Sequence, residues 1–364
     1  MSPRRLPVAL LALAAAALPA CTSSVAGQGS RGDAAPLTVL TSTTPTSSTA
    51  GLVTGVTVTG EETLLLVADP YGGTGLTVVS PATGEVTGEV ALPPDTRADT
   101  VLVSGGETLV AGEYGSVHGL GRVDPSLGRF AGSVPVAGLP GDATDTVAAA
   151  TPDGGLLVGV ERSGGAPVLV RVDPAAAQVT ATAELPLGGL ADGEGRIGVE
   201  AVAAAPDGSV VVTAVVPRED GDTTTAVLVR LGADLAPAGD PVVLLPGEGS
   251  APTGLAVGPD GTAYTVVAAD SGSAAVVAVA PGTAEAQTLL PVDPAPAALA
   301  VVDGELWVLH DRVVLTRVDP DGGTVTGELS LCDDGTADGL GVAGDGSLVA
   351  VATCGRATVW RVGR

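Results

Sequence analysis

The sequence of 364 residues contains no lysine and no asparagine, and isoleucine occurs once, at Ile197. Acidic residues outnumber basic residues by 41 to 16, which gives a formal net charge of -25. An acidic surface without lysine repels the phosphate backbone of nucleic acids. Aromatic residues make up only 2% of the chain, so it has few platforms for stacking bases or sugars. The composition argues against a nucleic-acid partner and leaves cations, basic peptides and neutral ligands.

Signatures of catalysis are also missing from the sequence. Only two histidines occur, His118 and His310, and they are far apart in the chain, so a histidine-based metal site or triad is not expected. The chain has no GxSxG elbow and no HExxH motif. Residues 193–198 and 339–344 match GxGxxG, but neither lies between a strand and a helix. With 53 glycines, such matches arise by chance.

The one long apolar run lies at the N-terminus. Val8 to Leu18 follows Arg4 and Arg5, is too short for a comfortable membrane span, and leads to Cys21 through small residues. This segment resembles a bacterial lipoprotein signal. Sec export is expected, with twin-arginine export as the alternative, because the Arg pair is a poor match to a twin-arginine signal. The resemblance implies that residues 1–20 are removed and that Cys21 carries lipid such as palmitate. An ordinary cleaved signal with an incidental cysteine is the alternative.

The rest of the chain is expected to be held at the extracytoplasmic face of the cell membrane by that lipid alone. Residues 21–36, rich in Ser, Thr and Gly, are predicted to be a flexible tether after the lipidated cysteine. With Cys21 lipidated, Cys332 and Cys354 are left as a pair. In an oxidising compartment we predict a disulfide between them.

A short repeat organises residues 37–364. The tetrapeptide RVDP follows an apolar run at Arg122, Arg171 and Arg317, and related segments occur elsewhere. Aligning these segments on the arginine gives one column of seven positions, 39 to 59 residues apart: Val78, Arg122, Arg171, Arg230, Ala278, Arg317 and Arg361.

A second column consists of tight turns between two apolar runs. These turns contain Gly or Asp, which tolerate the backbone angles of hairpins: Gly60-Glu61, Gly105-Gly106, 152–154, 206–208, 259–261, Asp303-Gly304 and Asp345-Gly346. Short apolar runs with no sustained helical period indicate an all-β fold. Seven units of this length predict a seven-bladed β-propeller with four-stranded blades.

The unit that contains Arg230 shows the predicted blade, with strands at 199–205, 210–216, 226–231 and 241–245. The arginine of the repeat is predicted to pair with the Asp two residues on, in a structural role. The last unit ends one strand short. We predict that Leu37–Leu40 supplies the missing outer strand and closes the ring.

The PDG turns and the VDP-x-x-G-x-V hairpins resemble those of the YVTN/YncE-like and NHL-like seven-bladed propellers, and more broadly WD40-like repeats. The resemblance covers residues 37–364 and implies the fold rather than a function. Sugar-lactonase propellers of this kind hold their metal with Asn and His as well as acids. A chain without asparagine departs from that pattern.

One residue near the start of each first strand is expected to line the mouth of the central channel: Thr54, Asp99, Asp145, Glu200, Thr253, Ala297 and Asp338. Four carboxylates around one axis would suit Ca²⁺ or attract a basic group. Alternatively, these acids cap backbone N–H groups. Loops on the same face add further candidates: Asp192, Glu194, Glu219, Asp220 and Asp222.

These features favour a lipid-anchored extracytoplasmic propeller that binds a partner protein or a small ligand without catalysis. The alternative is a metal-dependent hydrolase or lactonase that uses the acidic residues at the channel mouth. A purely structural envelope protein is a third reading.

Overall fold

The computed structural model describes residues 37–45, 52–59, 62–69, 73–124, 126, 128–187, 190, 196–218, 223–246, 250–292, 296–310 and 312–363. The signal segment and tether predicted for residues 1–36, including Cys21, lie outside these residues. The described residues form strands, turns and loops, and no helix among them could cross a membrane.

Within these described ranges, all the strands belong to seven antiparallel sheets of four strands each. Six of the seven sheets are formed by four consecutive strands each. Blade one contains β2 (Leu52–Val58), β3 (Thr63–Asp69), β4 (Gly73–Val79) and β5 (Val86–Ala91). Blade two contains β6 (Thr96–Ser104), β7 (Glu107–Tyr114), β8 (Val117–Asp124) and β9 (Arg129–Pro135). Blade three contains β10 (Ala143–Ala150), β11 (Leu156–Arg162), β12 (Val168–Asp173) and β13 (Gln178–Glu184). Blade four contains β14 (Gly198–Ala204), β15 (Val210–Pro217), β16 (Thr224–Leu231) and β17 (Val242–Val243).

The remaining sheets complete the ring. Blade five contains β18 (Ser250–Val257), β19 (Ala263–Ala269), β20 (Ala274–Val279) and β21 (Gln287–Val292). Blade six contains β22 (Pro296–Val302), β23 (Glu305–His310), β24 (Val314–Asp319) and β25 (Thr324–Ser330). Blade seven contains β26 (Thr336–Val342), β27 (Leu348–Thr353) and β28 (Ala357–Gly363), with β1 (Thr38–Thr43) as its outer strand. Below, the four strands of a blade are a to d from the channel outward.

This architecture confirms the predicted seven-bladed propeller and its closure by an N-terminal strand. β1 pairs antiparallel with β28, from Thr38 opposite Gly363 to Thr43 opposite Val359. The strand extends beyond the predicted Leu37–Leu40. Leu37, just before it, is 6% exposed and belongs to the core between blades six and seven. Closure therefore combines a hydrogen-bonded ladder with a buried side chain.

Apolar side chains between the blades form the core. The buried hydrophobic residues divide into seven clusters, and each cluster joins one pair of neighbouring blades, including the pair formed by blades seven and one. Because the b and c strands are covered on both faces by neighbouring blades, their sequences are nearly continuous runs of Val, Ala and Leu. The ring is thus closed by side-chain packing all the way round.

Blade four differs from the prediction in its outer strand. The predicted d strand at 241–245 is reduced to Val242–Val243. The chain before it folds into a local turn instead, with Gly232 N donating to Ala236 O at 2.7 Å and Leu231 bridging to Pro237.

The arginine column lies where the repeat places it, in strand c of every blade. The partners of these arginines differ from the prediction, however. Arg171 lies 4.0 Å from Asp153 and Arg317 lies 3.9 Å from Glu305, acids at the a–b turn or at the start of strand b. The Asp two residues on turns the chain instead: Asp173 Oδ1 accepts hydrogen bonds from the backbone N–H groups of the next residues, at 2.9 and 3.2 Å. Because these hydrogen bonds hold Asp173 in its own turn, the predicted pairing of the arginine with the Asp two residues on is wrong for this blade.

Candidate functional site at the channel mouth

Strand direction divides the connections between two faces of the ring. Because neighbouring strands are antiparallel, all d–a and b–c connections lie on one face and all a–b and c–d turns lie on the other. We call them the mouth face and the turn face. The predicted ring residues are near the start of each strand a, and therefore on the mouth face.

A β-bulge interrupts every strand a near this end. Five of the seven predicted ring residues are the unpaired residue of the bulge: Thr54, Asp99, Glu200, Ala297 and Asp338. Asp145 and Thr253 border the irregularity in their own blades. A bulge twists a strand and redirects the side chain at that point. The recurrence of the bulge is the structural reason why one position per blade is set apart.

Carboxylates from blades three and four converge on the mouth face. Glu161, at the end of β11, is the cross-strand partner of Asp145. Its Oε1 accepts a 2.9 Å hydrogen bond from Val199 N in blade four. A Cβ atom added to Gly198 would lie 3.2 Å from Oε1 of Glu161 and 3.2 Å from Oε1 of Glu200. The two glutamates therefore approach the same point beside a residue that has no side chain.

The close approach of these carboxylates is reflected in their protonation. Burial raises the pKa of Glu161, and the negative charge of Asp145 raises it further, against the hydrogen bond from Val199 and the charge of Arg196. Burial also raises the pKa of Glu200, and Glu161 and Asp145 add to that shift. The cluster therefore concentrates negative charge that a positive group would stabilise.

Asp338 occupies the same face in blade seven. Burial raises the pKa of Asp338 from 3.8 to about 6, against a hydrogen bond from Thr353 Oγ1 to its Oδ2 at 2.8 Å. Thr353 immediately precedes Cys354, whose sulfur lies at bonding distance from that of Cys332, with the Cα atoms 6.5 Å apart. This confirms the predicted cysteine pairing, and it fixes the connection that leads to Asp338.

Other predicted ring residues satisfy backbone groups. Thr54 Oγ1 donates to Ala98 O in the next blade at 3.3 Å. Asp145 Oδ1 accepts from Thr146 N at 2.8 Å, which agrees with the capping alternative. Thr253 is exposed at the mouth. The side chain of Asp99 lies outside the described part of the chain, as do the loop candidates: Asp192, Glu194, Glu219, Asp220 and Asp222.

The described side chains include no group of three or more His, Cys, Asp or Glu residues that could hold a metal ion. Since Asp99 and the acidic loops are not among them, the Ca²⁺ site stays a prediction. Glu161 was not singled out from the sequence. The signal that would have found it is its place at the end of a strand b, opposite Asp145 in the hairpin.

Comparison with known proteins supports the architecture. No protein-family model and no curated protein sequence matches the chain. Among solved structures, BamB from Moraxella catarrhalis is similar over 85% of this chain and 85% of its own, with a TM-score of 0.52 and 16% identity. The WD40 domain of Neurospora crassa Pan2 is similar over 89% of this chain and 95% of its own, with a TM-score of 0.65 and 11% identity. At these identities the similarity shows the fold alone.

Proposed function

We propose that this protein is a lipid-anchored, extracytoplasmic binding module that holds a basic segment of a partner protein on its mouth face. The observation that carries the proposal is the convergence of Glu161 and Glu200 beside Asp145, where the pKa of both glutamates is raised. A positive side chain placed there would relieve the repulsion between the carboxylates. The net charge of -25 would also draw a basic partner from a distance.

The proposed location rests on two independent features. The N-terminal segment has the layout of a lipoprotein signal that ends at Cys21. The paired cysteines Cys332 and Cys354 support an oxidising compartment, because disulfides seldom persist in a reducing one. Membership in the YVTN/YncE-like or NHL-like propellers is part of the same proposal, since binding proteins occur among those families.

Metabolic labelling tests the anchor. The full chain, expressed in a bacterial host with labelled palmitate, should incorporate the label and fractionate with membranes. The Cys21→Ser variant should do neither while still being exported. Equal labelling of both proteins would remove the lipid anchor from the proposal.

Site-specific photo-crosslinking in cells tests the mouth face. A photoreactive residue at Thr336, exposed at the start of strand a in blade seven, should give a discrete adduct with a partner. The matched control is Thr182, exposed on the outer strand of blade three. Replacing Glu161 and Glu200 together by Gln should weaken the adduct at Thr336. Equal adducts at both positions, or an adduct insensitive to the double replacement, would contradict the proposal.

A further inference from the structure

Two of the five arginines of strand c bind the next blade on the turn face. Arg122 of blade two donates from Nη2 to the backbone oxygens of Pro174 and Ala175 in blade three, at 2.9 and 2.8 Å. Arg230 of blade four donates to Gly261 O and Val279 O in blade five, at 3.0 and 2.6 Å. In these two blades the guanidinium therefore occupies the groove between a blade and its successor.

Two blades have no arginine at this position. Val78 stands there in blade one and Ala278 in blade five. A cavity lies after each of them: about 470 Å³ between blades one and two, and about 390 Å³ between blades five and six. Both volumes fall in the range of roughly 300–1,000 Å³ that is usual for small-ligand pockets. We call the cavity between blades five and six the Ala278 groove.

The Ala278 groove retains counterparts of the backbone positions that bind arginine elsewhere. Its lining includes Gly304 and Pro320. Leu306 pairs with Val318 in blade six as Ala263 pairs with Val279 in blade five, which makes Gly304 the counterpart of Gly261. By the same alignment of the RVDP turns, Pro320 is the counterpart of Pro174.

An aromatic residue lies opposite the position at which blade five lacks the arginine. In blade six, Trp307 is the cross-strand partner of Arg317, and the guanidinium carbon lies 5.6 Å from the ring centroid. In blade five, Tyr264 is the cross-strand partner of Ala278, lines the groove and is 6% exposed. Blade five thus keeps an aromatic residue at the position that carries the cation–π pair in blade six.

The charge of the groove suits a cation. Five of its eleven lining residues are acidic and none is basic: Asp260, Asp303, Glu305, Asp319 and Asp321. The cavity between blades one and two, by contrast, includes Arg122 and Arg129. Asp260 and Asp321 line the groove together with Tyr264. Burial raises the pKa of Tyr264, and the charges of these two carboxylates raise it further, against a hydrogen bond with Thr262.

We propose that the Ala278 groove binds an arginine side chain of a partner protein, which takes the position that Arg122 and Arg230 occupy in their own grooves. The planar guanidinium would lie against Tyr264, donate to the carbonyls of the turns and face Asp260 and Asp321. The site goes beyond the function proposed above, because it is on the opposite face of the ring and selects one side chain.

Calorimetric titration of the purified mature chain with acetyl-Gly-Arg-Gly-amide tests the site. We expect saturable binding that weakens with added salt. Peptides with citrulline or lysine in place of arginine should bind at least about tenfold more weakly, because they lack the charge or the planar fork. No binding of the arginine peptide, or equal binding of all three peptides, would overturn the proposal.

Filling the groove gives the sharper test. Ala278→Arg supplies the missing side chain from within and should abolish peptide binding, whereas Val78→Arg, the same change in blade one, should leave it intact.

Asp321→Asn, a surface change that does not depend on repacking, should lower the affinity by about tenfold, and Asp270→Asn on the mouth face should not. Equal effects within either pair would overturn the site. Loss of the mouth-face adduct at Thr336 without loss of peptide binding would separate this proposal from the previous one.

Discussion

The guanidinium of Arg230 in blade four donates a 2.6 Å hydrogen bond to the backbone oxygen of Val279 in blade five. The same side chain reaches Gly261 O at 3.0 Å, so one residue adds two hydrogen bonds to the apolar packing between these sheets, beside those that Ser250 makes with Thr224 and Ala226. Burial lowers the pKa of Arg230, against the charges of Asp207 and Asp260.

Arg230→Met should therefore destabilise the ring. Methionine keeps an apolar stem but leaves two carbonyls without their donor, and the free energy of unfolding should fall by about 1–3 kcal/mol. Denaturant unfolding provides the measurement. Arg129→Met, at an exposed residue, is the control and should change stability by less than about 0.5 kcal/mol. Equal effects of the two changes would refute the inter-blade role of Arg230.

The N-terminal strand should carry a large share of the stability of blade seven. Deleting residues 37–43 removes the β1–β28 ladder and the buried Leu37, and should cost at least about 3 kcal/mol. Deleting residues 23–34 should not change the thermal unfolding midpoint. If both deletions shift the midpoint alike, β1 is not the closing element.

The disulfide should stabilise the ring without being required for folding. Cys332 and Cys354 are 22 residues apart, and opening a loop of that size should lower the free energy of unfolding by about 3 kcal/mol. Thermal unfolding of the Cys332→Ser, Cys354→Ser double variant against the oxidised protein measures this. Reductant should have no further effect on the variant. Identical midpoints for oxidised and reduced protein would contradict the prediction.

Asp338 should make the free energy of unfolding depend on pH, and its raised pKa determines the direction of that dependence. Because its folded pKa of about 6 is above the ordinary 3.8, the native state holds the extra proton, and its contribution becomes unfavourable as pH rises through 4 to 6. The Asp338→Asn variant should be more stable than the parent protein at pH 8 by about 1–2 kcal/mol. This is less than the free energy that corresponds to the full pKa shift, because Asp338 is partly exposed to solvent.

That gain should shrink towards zero as the pH falls to about 4, where the parent carboxyl is protonated. Asp333→Asn, at an exposed residue of the same connection, is the matched control, and should show no gain that grows with pH. A gain of the same size at pH 4 and pH 8 would show that ionisation of Asp338 is not its cause.

Gly341 should be irreplaceable in strand a of blade seven. A Cβ atom there would lie 2.5 Å from the Cβ of Val58 in blade one, so Gly341→Ala should cost about 1–3 kcal/mol by overpacking. Gly73→Ala is the control, because a Cβ at Gly73 meets no atom within 4 Å. Chemical denaturation that ranks the two variants equally would contradict this packing.

The sequence was sufficient for the blade count, since the turn glycines mark each repeat. Gly154, Gly208 and Gly261 all adopt a φ close to 83°, which only glycine adopts without strain. Closure by an N-terminal strand could also be predicted, because the last repeat ends one strand early. Gly339 and Gly341 belong to a match to the GxGxxG nucleotide-binding motif, and the high glycine content predicted that this match arose by chance. It reflects instead the close approach of blades seven and one, which no local pattern encodes.

The residues that form the acidic cluster at the channel mouth and the Ala278 groove were harder to predict from the sequence. A ring position in each blade followed from the repeat, but the convergence of Glu161 with Glu200 depends on contact between strands of different blades. The Ala278 groove was hidden for a similar reason. The sequence shows that arginine is missing from the column at Ala278, but the contacts of Arg122 and Arg230 with the next blade emerge only from the fold.

The position of Thr38 opposite Gly363 determines at which face the N-terminal strand enters the propeller. β28 ends at the turn face, so the chain enters the propeller from that side and at its outer edge. A molecule held by its N-terminus would thus be attached on the face that carries the Ala278 groove, and the carboxylates of the mouth would lie on the opposite face. Partners of the two faces would then approach from opposite directions, and one need not displace the other.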